Sequence, residues 1–391
     1  MSSAVPGTGI QRKRFKLSDQ QRLAWLRLIR SENVGPATFR DLINHFGTAS
    51  AALEAVPELA RRGGIAARIR IASSEDGERE LEAAARLGAR LTGMGEPDYP
   101  PLLRSLDPPP PVLSMLGNSD AAQRPCLAMV GSRNASISGQ KFASRLASEL
   151  GQSGYSIVSG LARGIDSAAH RASLTTGTVA VFAGGLDHPF PEENVPLARE
   201  IIENDGLLVS EMPIGWKPRN IDFPRRNRII AGLALGVVVI EAARRSGSLI
   251  TARLANEIGR LVFAVPGSPL DPRSEGTNHL IRQGATLITC ADDVRELVTP
   301  AHGEPQLPFL AGEPGGEAWE NEMQGAPTIV EEADQTVRDA IISALGPTPA
   351  EVDDIIRFCD ASAGQVQLVL LELDLAGRLE RHAGNRVSLS A

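Results

Sequence analysis

Short apolar runs alternate with helical patterns over the middle of the chain. From Cys126 onward, runs such as CLAMVG (126–131), YSIVSG (155–160) and GVVVIEA (236–242) are separated by helix-length segments of mixed polarity. Strands without polar alternation are typical of a parallel sheet that helices cover on both faces. The pattern predicts an α/β, Rossmann-like, doubly wound parallel sheet over residues 96–300, with its core at 125–290. Ligands should bind at the carboxyl ends of its strands.

Helical periodicity precedes this domain. Residues 1–16 are polar and basic and are predicted to be disordered, whereas residues 17–95 predict a helical domain of the SAM or helix-hairpin-helix type. Ser18 is a candidate N-cap. The Gly35-Pro36 turn, followed by a helix that Gly47 stops, resembles a helix-hairpin-helix unit, whose turn can hold a DNA phosphate. A small helical bundle that uses Gly-Pro only as a turn fits the same residues equally well.

A different organisation follows the central domain. Residues 301–330 are rich in Pro and Gly and predict a linker. Residues 331–391 show three helical patterns and a hairpin around Gly384-Asn385, which predict a winged-helix-like domain. Its third helix would be the usual reader of a DNA groove, but no Lys or Arg lies between Phe358 and Gly377. A protein contact or domain capping is therefore expected there rather than duplex binding.

Charge is distributed unevenly along the 391 residues, whose formal net charge is −7. Residues 1–95 hold 15 Lys and Arg against 10 Asp and Glu, residues 96–300 hold 20 against 21, and residues 301–391 hold 5 against 16. A polyanion would therefore be bound locally by the first two parts and repelled by the third. With three widely spaced cysteines and no apolar run long enough to span a membrane, the composition favours a reducing cytoplasm.

Phosphate-binding chemistry is concentrated between Phe223 and Arg260. Arg225, Arg226 and Arg228 precede a strand, Arg244 and Arg245 follow it, and Ser246-Gly247-Ser248 opens the next helix. Arginine side chains and free backbone N–H groups at a helix start are suited to phosphate. Gly131-Ser132-Arg133 and Ser159-Gly160 lie at the ends of two other predicted strands. Since the dinucleotide fingerprint G-x-G-x-x-G is absent, these loops predict a phosphate groove without a specific nucleotide.

Catalytic groups are harder to find in the sequence. His170 follows Asp166 by four residues, so a hydrogen-bonded structural histidine is expected. Asp187 and Glu211 could form a carboxylate pair, but a role in orienting loops or arginines is equally compatible with their positions. No metal-ligand spacing and no Walker lysine motif is present, so neither a metal site nor a cofactor site is predicted.

The ordered motifs closely resemble one family. GSR (131–133), SGLARGIDSAAH (159–170), GGLDHPFPEEN (184–194) and FPRRNRIIAGL (223–233) are among those that match DNA processing protein A, the DprA/Smf family. Order and spacing agree over about 180 residues, and the flanking modules also suit the family. The resemblance implies a non-enzymatic, homodimeric protein that binds and protects single-stranded DNA and helps to load RecA in natural transformation.

The resemblance also implies which residues bind DNA phosphates. The matching positions are Ser132, Arg133, Ser159, Gly160, Arg225, Arg226, Asn227 and Arg228, with Ser246 and Ser248 as weaker candidates. Because aromatic residues make up only 4% of the chain, extensive base stacking is not expected, and Phe223 is expected to be buried. The alternative is a nucleotide hydrolase similar to the phosphoribohydrolases. The sequence ARRSGSLITAR (243–253) lacks the paired glycines and the glutamate of their motif.

Overall fold

Helices form the N-terminal part of the chain. The structure, a computed structural model, describes residues 16–64, 69–298, 333–382 and 384–390; the predicted linker and residues 1–15 of the predicted disordered segment lie outside these ranges. The helices are α1 (Asp19–Arg30), α2 (Pro36–Phe46), α3 (Ala49–Arg62) and α4 (Ser74–Leu87). Ser18 caps α1 by accepting a hydrogen bond from the backbone N–H of Gln21, and Gly47, with φ of 78°, ends α2. The predicted start and stop signals therefore act as such.

A nine-stranded sheet forms the centre of the molecule. Its strands are β1 (Arg90–Gly93), β2 (Val112–Gly117), β3 (Cys126–Gly131), β4 (Ser156–Ser159), β5 (Thr178–Val181), β6 (Leu207–Ser210), β7 (Gly236–Ile240), β8 (Leu261–Ala264) and β9 (Thr286–Leu287). They lie in the order β1-β2-β6-β5-β4-β3-β7-β8-β9, and the neighbours from β6 to β9 pair in parallel. The predicted doubly wound α/β fold is confirmed.

One edge of the sheet is antiparallel, which the sequence did not predict. β2 pairs antiparallel with β6, and β1 pairs antiparallel with β2. β2 follows directly after the prolines of residues 108–111, which obscure its short apolar run in the sequence. β1 lies inside the region predicted as helical. The central sheet therefore begins before residue 96.

Helices cover both faces of this sheet. They are α5 (Pro101–Arg104), α6 (Asp120–Gln123), α7 (Ile137–Gln152), α8 (Ile165–Ala172), α9 (Val195–Glu203), α10 (Asp222–Gly232), α11 (Gly247–Glu257), α12 (Glu275–Arg282) and α13 (Ala291–Val298). Successive residues of a strand point to opposite faces. In β3, Leu127 and Met129 join the apolar cluster of α7, α8 and α13, whereas Ala128 and Val130 join the cluster of α9, α10 and α11. The centre of the sheet is therefore buried on both sides.

The C-terminal module has the predicted winged-helix form. Its elements are α14 (Gln335–Ala344), β10 (Ala350–Glu351), α15 (Val352–Cys359), α16 (Ala363–Leu375), β11 (Leu379–His382) and β12 (Arg386–Leu389). The three strands form a small antiparallel sheet in the order β10-β12-β11. Among the helices of the described ranges, none is long and apolar enough to cross a membrane.

The third helix of this module, α16, packs on the N-terminal helices. Leu371 is buried in the same apolar cluster as residues of α2 and α3. The Thr38 hydroxyl donates a hydrogen bond to the Asp374 carboxylate at 2.9 Å, and the Arg378 guanidinium donates one to the Gly63 carbonyl at 3.0 Å. In a DNA-reading winged helix this element would lie in the groove. Here the N-terminal domain covers it, in agreement with the expected capping role.

Candidate functional site

A cleft of about 600 Å³ opens at the carboxyl ends of β3 and β7. Strands β4, β5 and β6 are added one after another on one side of β3. The chain then returns to the other side of β3, where it adds β7, β8 and β9. The strand order reverses here, so the cleft lies at the topological switch point, where open α/β sheets bind ligands. Of the predicted site residues, the cleft contains Ser132, Arg133, Arg226, Asn227, Ser246 and Ser248.

The loop after β3 forms one wall of the cleft. Gly131 allows this close approach to β7, because a Cβ atom there would lie 1.9 Å from the Ile240 carbonyl oxygen. The Ser132 hydroxyl accepts a hydrogen bond from the backbone N–H of Asn134 at 3.2 Å, which shapes the turn. Arg133 is exposed, and its guanidinium lies 5.7 Å from the centre of the Phe223 ring. The loop thus presents a cation to the cleft from a defined backbone position.

A carboxylate behind this loop holds its far end. Glu241 follows β7 with a φ of 51°, an uncommon conformation for a residue with a side chain. Its carboxylate accepts a hydrogen bond from the backbone N–H of Ser136 at 2.8 Å and another from the Ser136 hydroxyl. Ser136 in turn caps α7 by accepting from the N–H of Gly139 at 2.9 Å. Glu241 is therefore engaged in positioning the loop.

The start of α11 forms the opposite wall. Ser246 is the N-cap, and its hydroxyl lies 2.7 Å from that of Ser248 and accepts a hydrogen bond from the Ser248 N–H at 3.4 Å. Arg244 and Arg245 are exposed just before this helix. Within the described part of the chain, neither has a carboxylate within ion-pair distance. Unpaired cations and a helix N-terminus together favour an anion in this part of the cleft.

Arg226 lines the cleft but is largely buried, and it has a structural role. Its side chain is only 7% exposed, and Nη1 donates hydrogen bonds to the carbonyls of Gly160, at 2.8 Å, and Val181. Burial lowers the pKa of Arg226 to about 10, which leaves it charged at neutral pH. The nearby carboxylate of Asp166 accepts from the backbone N–H groups of Gly160, at 3.1 Å, and Ala162, at 3.3 Å. Arg226 therefore cross-links the ends of β4 and β5.

His170 belongs to the same buried region. Its Nδ1 lies 2.7 Å from the Thr178 hydroxyl oxygen, and the ring is fully buried. Burial and the charge of Arg226 lower the pKa of His170 to about 3, so the ring is neutral at physiological pH. Burial also raises the pKa of the Asp166 carboxyl, although the Arg226 charge acts in the opposite direction. The histidine is structural, as the sequence indicated.

Four other predicted phosphate-binding residues do not line the cleft. The hydroxyl of Ser159 is buried and donates a hydrogen bond to the Met129 carbonyl at 2.6 Å. The Gly160 carbonyl accepts a hydrogen bond from Arg226, and the Gly160 N–H donates one to the Asp166 carboxylate. Arg228 pairs with the buried Glu211 at 2.5 Å, and Arg225 lies 3.6 Å from the same carboxylate. The helical period places these arginines on different faces of α10. Residues 225 and 228 share the face next to Glu211, whereas residues 223, 226 and 227 face the cleft.

The candidate carboxylate pair also has other partners. The Asp187 carboxylate accepts from the backbone N–H of Gly215 at 2.8 Å, and Glu211 binds the two arginines just described. Within the described ranges, no group of His, Cys, Asp and Glu side chains is arranged to hold a metal ion. The two carboxylates therefore orient a loop and arginines, which is one of the two roles compatible with the sequence.

Several residues of the cleft are not among the positions that the family resemblance implied. Phe190, Asn220 and Arg245 all contribute to its lining. The Phe190 and Phe223 rings meet edge to face, with centres 5.5 Å apart and an angle of 61°. The sequence placed Arg245 in the phosphate-binding stretch after a strand without matching it to the family's DNA-binding positions, whereas Phe190 lies in an irregular loop where periodicity carries no information.

Comparison with known proteins identifies the family. A family model described as DNA recombination-mediator protein A covers residues 90–299, more than half of the chain. The flanks match the DprA-like N-terminal HHH domain over residues 19–83 and the DprA winged helix domain over residues 326–385. The chain belongs to the DprA/Smf family. The resemblance inferred from the sequence motifs is confirmed.

Relatives of this DprA/Smf member span its length. Protein Smf of Synechocystis is 32% identical in an alignment of 400 positions that covers 95% of this chain and 99% of the relative. The DNA processing protein DprA of Streptococcus pneumoniae is 48% identical over 198 residues, 50% of this chain and 70% of the relative. An X-ray structure of DNA processing protein A from S. pneumoniae has a TM-score of 0.57 and 34% identity, covering 72% of this chain and 98% of that one.

Proposed function

We propose that this DprA/Smf member binds single-stranded DNA by its sugar-phosphate backbone in the cleft at the switch point, as part of DNA processing in natural transformation. One observation carries the proposal. Arg133 and Arg245 line the cleft and Arg244 directly precedes Arg245; all three are exposed, and within the described ranges none has a carboxylate partner within ion-pair distance. Arginines in such positions are free to pair with phosphate groups of a ligand.

The dimensions of the site support a single strand over a duplex. A cleft of about 600 Å³ is in the range of small-ligand sites, so it can take individual nucleotides but not a whole double helix. The helix that a winged-helix protein would insert into a duplex groove, α16, packs on the N-terminal domain instead. Phosphate-dominated binding would also tolerate any sequence.

Binding of a fluorescent oligonucleotide of deoxythymidines at increasing salt tests the proposal. We expect tight binding at low salt and a linear decrease of log affinity with log salt concentration, because each bound phosphate releases condensed counterions. A duplex of the same length should bind more weakly. Absence of single-strand binding at low salt, with the protein folded, would contradict the proposal.

The proposal includes no catalytic step, unlike the alternative of a phosphoribohydrolase. A hydrolase needs a carboxylate free to act as a general base. In the cleft, the buried Asp166 carboxylate lies beside Arg226 and accepts hydrogen bonds from two backbone N–H groups. The carboxylate of the neighbouring Glu241 accepts a hydrogen bond from the backbone N–H of Ser136. Incubation with nucleoside monophosphates distinguishes DNA binding from hydrolysis, since release of free base would support the phosphoribohydrolase hypothesis.

Delivery of the bound strand to RecA in the cytoplasm is the second part of the proposal, and it rests on the family resemblance. A protein that binds the sugar-phosphate backbone leaves part of each base accessible for pairing, as a strand that takes part in recombination requires. The test is whether the purified chain lets RecA assemble on strands already coated with a single-strand binding protein. RecA assembly that is no faster with the chain than without it would contradict this part alone.

Assembly into a homodimer through the Rossmann-like domain is the third part. Within the described ranges β9 is the edge strand of the sheet, and Leu287 on it and Leu270 before α12 are exposed. An open strand edge beside apolar side chains favours pairing with another chain. We expect the wild-type chain to sediment as a dimer and a chain with Leu270→Asp and Leu287→Asp as a folded monomer. An unchanged sedimentation coefficient would place the interface elsewhere.

A further inference from the structure

An exposed aromatic ring stands at the rim of the cleft. Phe190 lies in the loop after β5, and its residue is 51% exposed. One edge contact holds it, because its ring meets the half-buried Phe223 ring at 5.5 Å between centres. Phe223 in turn lies beneath the guanidinium of Arg133. The exposed ring is thus held in place by a neighbour that belongs to the cleft wall.

The surroundings of Phe190 define what could cover it. The rest of the cleft presents cations, serine hydroxyls and the start of α11, which suit negatively charged groups. A ligand that fills both parts must therefore combine anionic groups with a flat apolar group. A nucleotide has this combination, since its phosphate and its base are joined through one sugar. An apolar protein surface would leave Arg133 and Arg245 without partners.

We propose that Phe190 is a stacking platform for one base of the bound strand, while Arg133, Arg245 and the start of α11 hold adjoining phosphates. This inference rests on the proposed binding of single-stranded DNA and adds to it a contact with a base. Every base has a π-face, so stacking on Phe190 strengthens binding without selecting a sequence. The contact is confined to one ring, which is consistent with a chain in which aromatic residues are only 4% of the total.

Two oligonucleotides of equal length test the inference. One carries about ten thymine bases, and the other has the same sugar-phosphate backbone without bases. Phe190→Ala should weaken binding of the thymine strand about 5-fold to 150-fold, because stacking of one base on an aromatic ring contributes that much. It should leave binding of the abasic strand unchanged, because the phosphate contacts remain.

A second variant and a matched control separate stacking from loss of apolar surface. Phe190→Leu keeps an apolar side chain against Phe223 but removes the aromatic face, so it should weaken thymine binding almost as much as Phe190→Ala. Phe358→Ala is the control, because Phe358 is 80% exposed on α15, far along the chain in the C-terminal module. This control should bind both strands like the wild type.

The dependence on salt gives an independent readout. Phe190→Ala should lower the affinity for the thymine strand without changing the slope of log affinity against log salt. Arg245→Ala should reduce that slope by about 0.7, as expected for the loss of one phosphate contact on a single strand. Thermal denaturation of each variant shows whether the fold is retained.

The outcomes distinguish this inference from the proposed function. If the wild-type chain binds neither strand, the proposed function is wrong. If the wild-type chain binds the thymine strand and Phe190→Ala binds it equally well, the stacking platform is wrong and the proposed function stands. A loss with Phe190→Ala that is equal for the thymine and abasic strands would also overturn the platform, because the ring would then act only through the phosphate contacts.

Discussion

Replacing Arg133, Arg244 and Arg245 together by glutamate lowers the affinity for single-stranded DNA at least about a hundredfold at low salt. The three side chains are exposed, and within the described ranges none has a carboxylate partner within ion-pair distance, so their charges are available to a ligand. Fluorescence anisotropy of a labelled oligonucleotide measures the loss. The slope of log affinity against log salt should fall by about 2, since three phosphate contacts are lost.

A variant with the same change in net charge provides the control. Arg145, Arg171 and Arg253 are more than half exposed, and each pairs with a glutamate on the surface of the central domain, outside the cleft. Their replacement by glutamate should affect binding far less than replacement of Arg133, Arg244 and Arg245. An equal loss in both triple variants would mean that overall charge attracts the strand and that the cleft is not the site.

Arg226→Ala should destabilise the folded chain by about 3–5 kcal/mol near neutral pH. The substitution removes the hydrogen bonds to the carbonyls of Gly160 and Val181 and leaves the buried Asp166 carboxylate without its neighbouring cation. Urea denaturation of both chains measures the difference in free energy of unfolding. Arg225→Ala is the control, because the Arg225 side chain is exposed and Glu211 still pairs with Arg228 when Arg225 is removed. This control should change the free energy of unfolding by no more than about 1 kcal/mol.

The loss of stability caused by Arg226→Ala should also depend on pH. Burial raises the pKa of Asp166 in the folded chain above its ordinary value of 3.8, and removing the Arg226 charge raises it further. A carboxyl whose folded pKa is raised stabilises the fold below its unfolded pKa and loses this contribution as pH rises towards the folded pKa. Arg226→Ala should therefore cost less stability near about pH 4.5 than near about pH 7.5.

The same variant tests two roles for Arg226. In the sequence it is one of three neighbouring arginines and was predicted to bind phosphate, whereas the structure also gives it carbonyl partners below the cleft. If Arg226→Ala unfolds at the wild-type urea concentration and only loses DNA binding, its main role is in the ligand contact. A large loss of stability would instead show that binding defects of Arg226 variants arise from the fold.

The division of the chain into modules could be predicted from the sequence because local patterns decide it. Apolar runs without alternation between Cys126 and Ala264 identified the parallel strands, since a strand covered on both faces needs apolar residues at every position. The antiparallel strand β2 was not predicted, because its pairing with β6 joins residues about a hundred positions apart and leaves no periodic signal. The place of the cleft followed from the alternation of strands and helices.

The sequence by itself determined the family, the order of modules and the sheet edge at which we propose that phosphate binds, because motif spacing and hydrophobic periodicity are local properties of the chain. Only the tertiary structure decided which charged residues face the cleft. Arg226 turns inward to backbone carbonyls, Arg225 and Arg228 turn to Glu211, and Arg245 remains free at the cleft. The difference arises because a side chain's partners are set by elements distant in sequence, and a buried polar group must be paired wherever the fold places it.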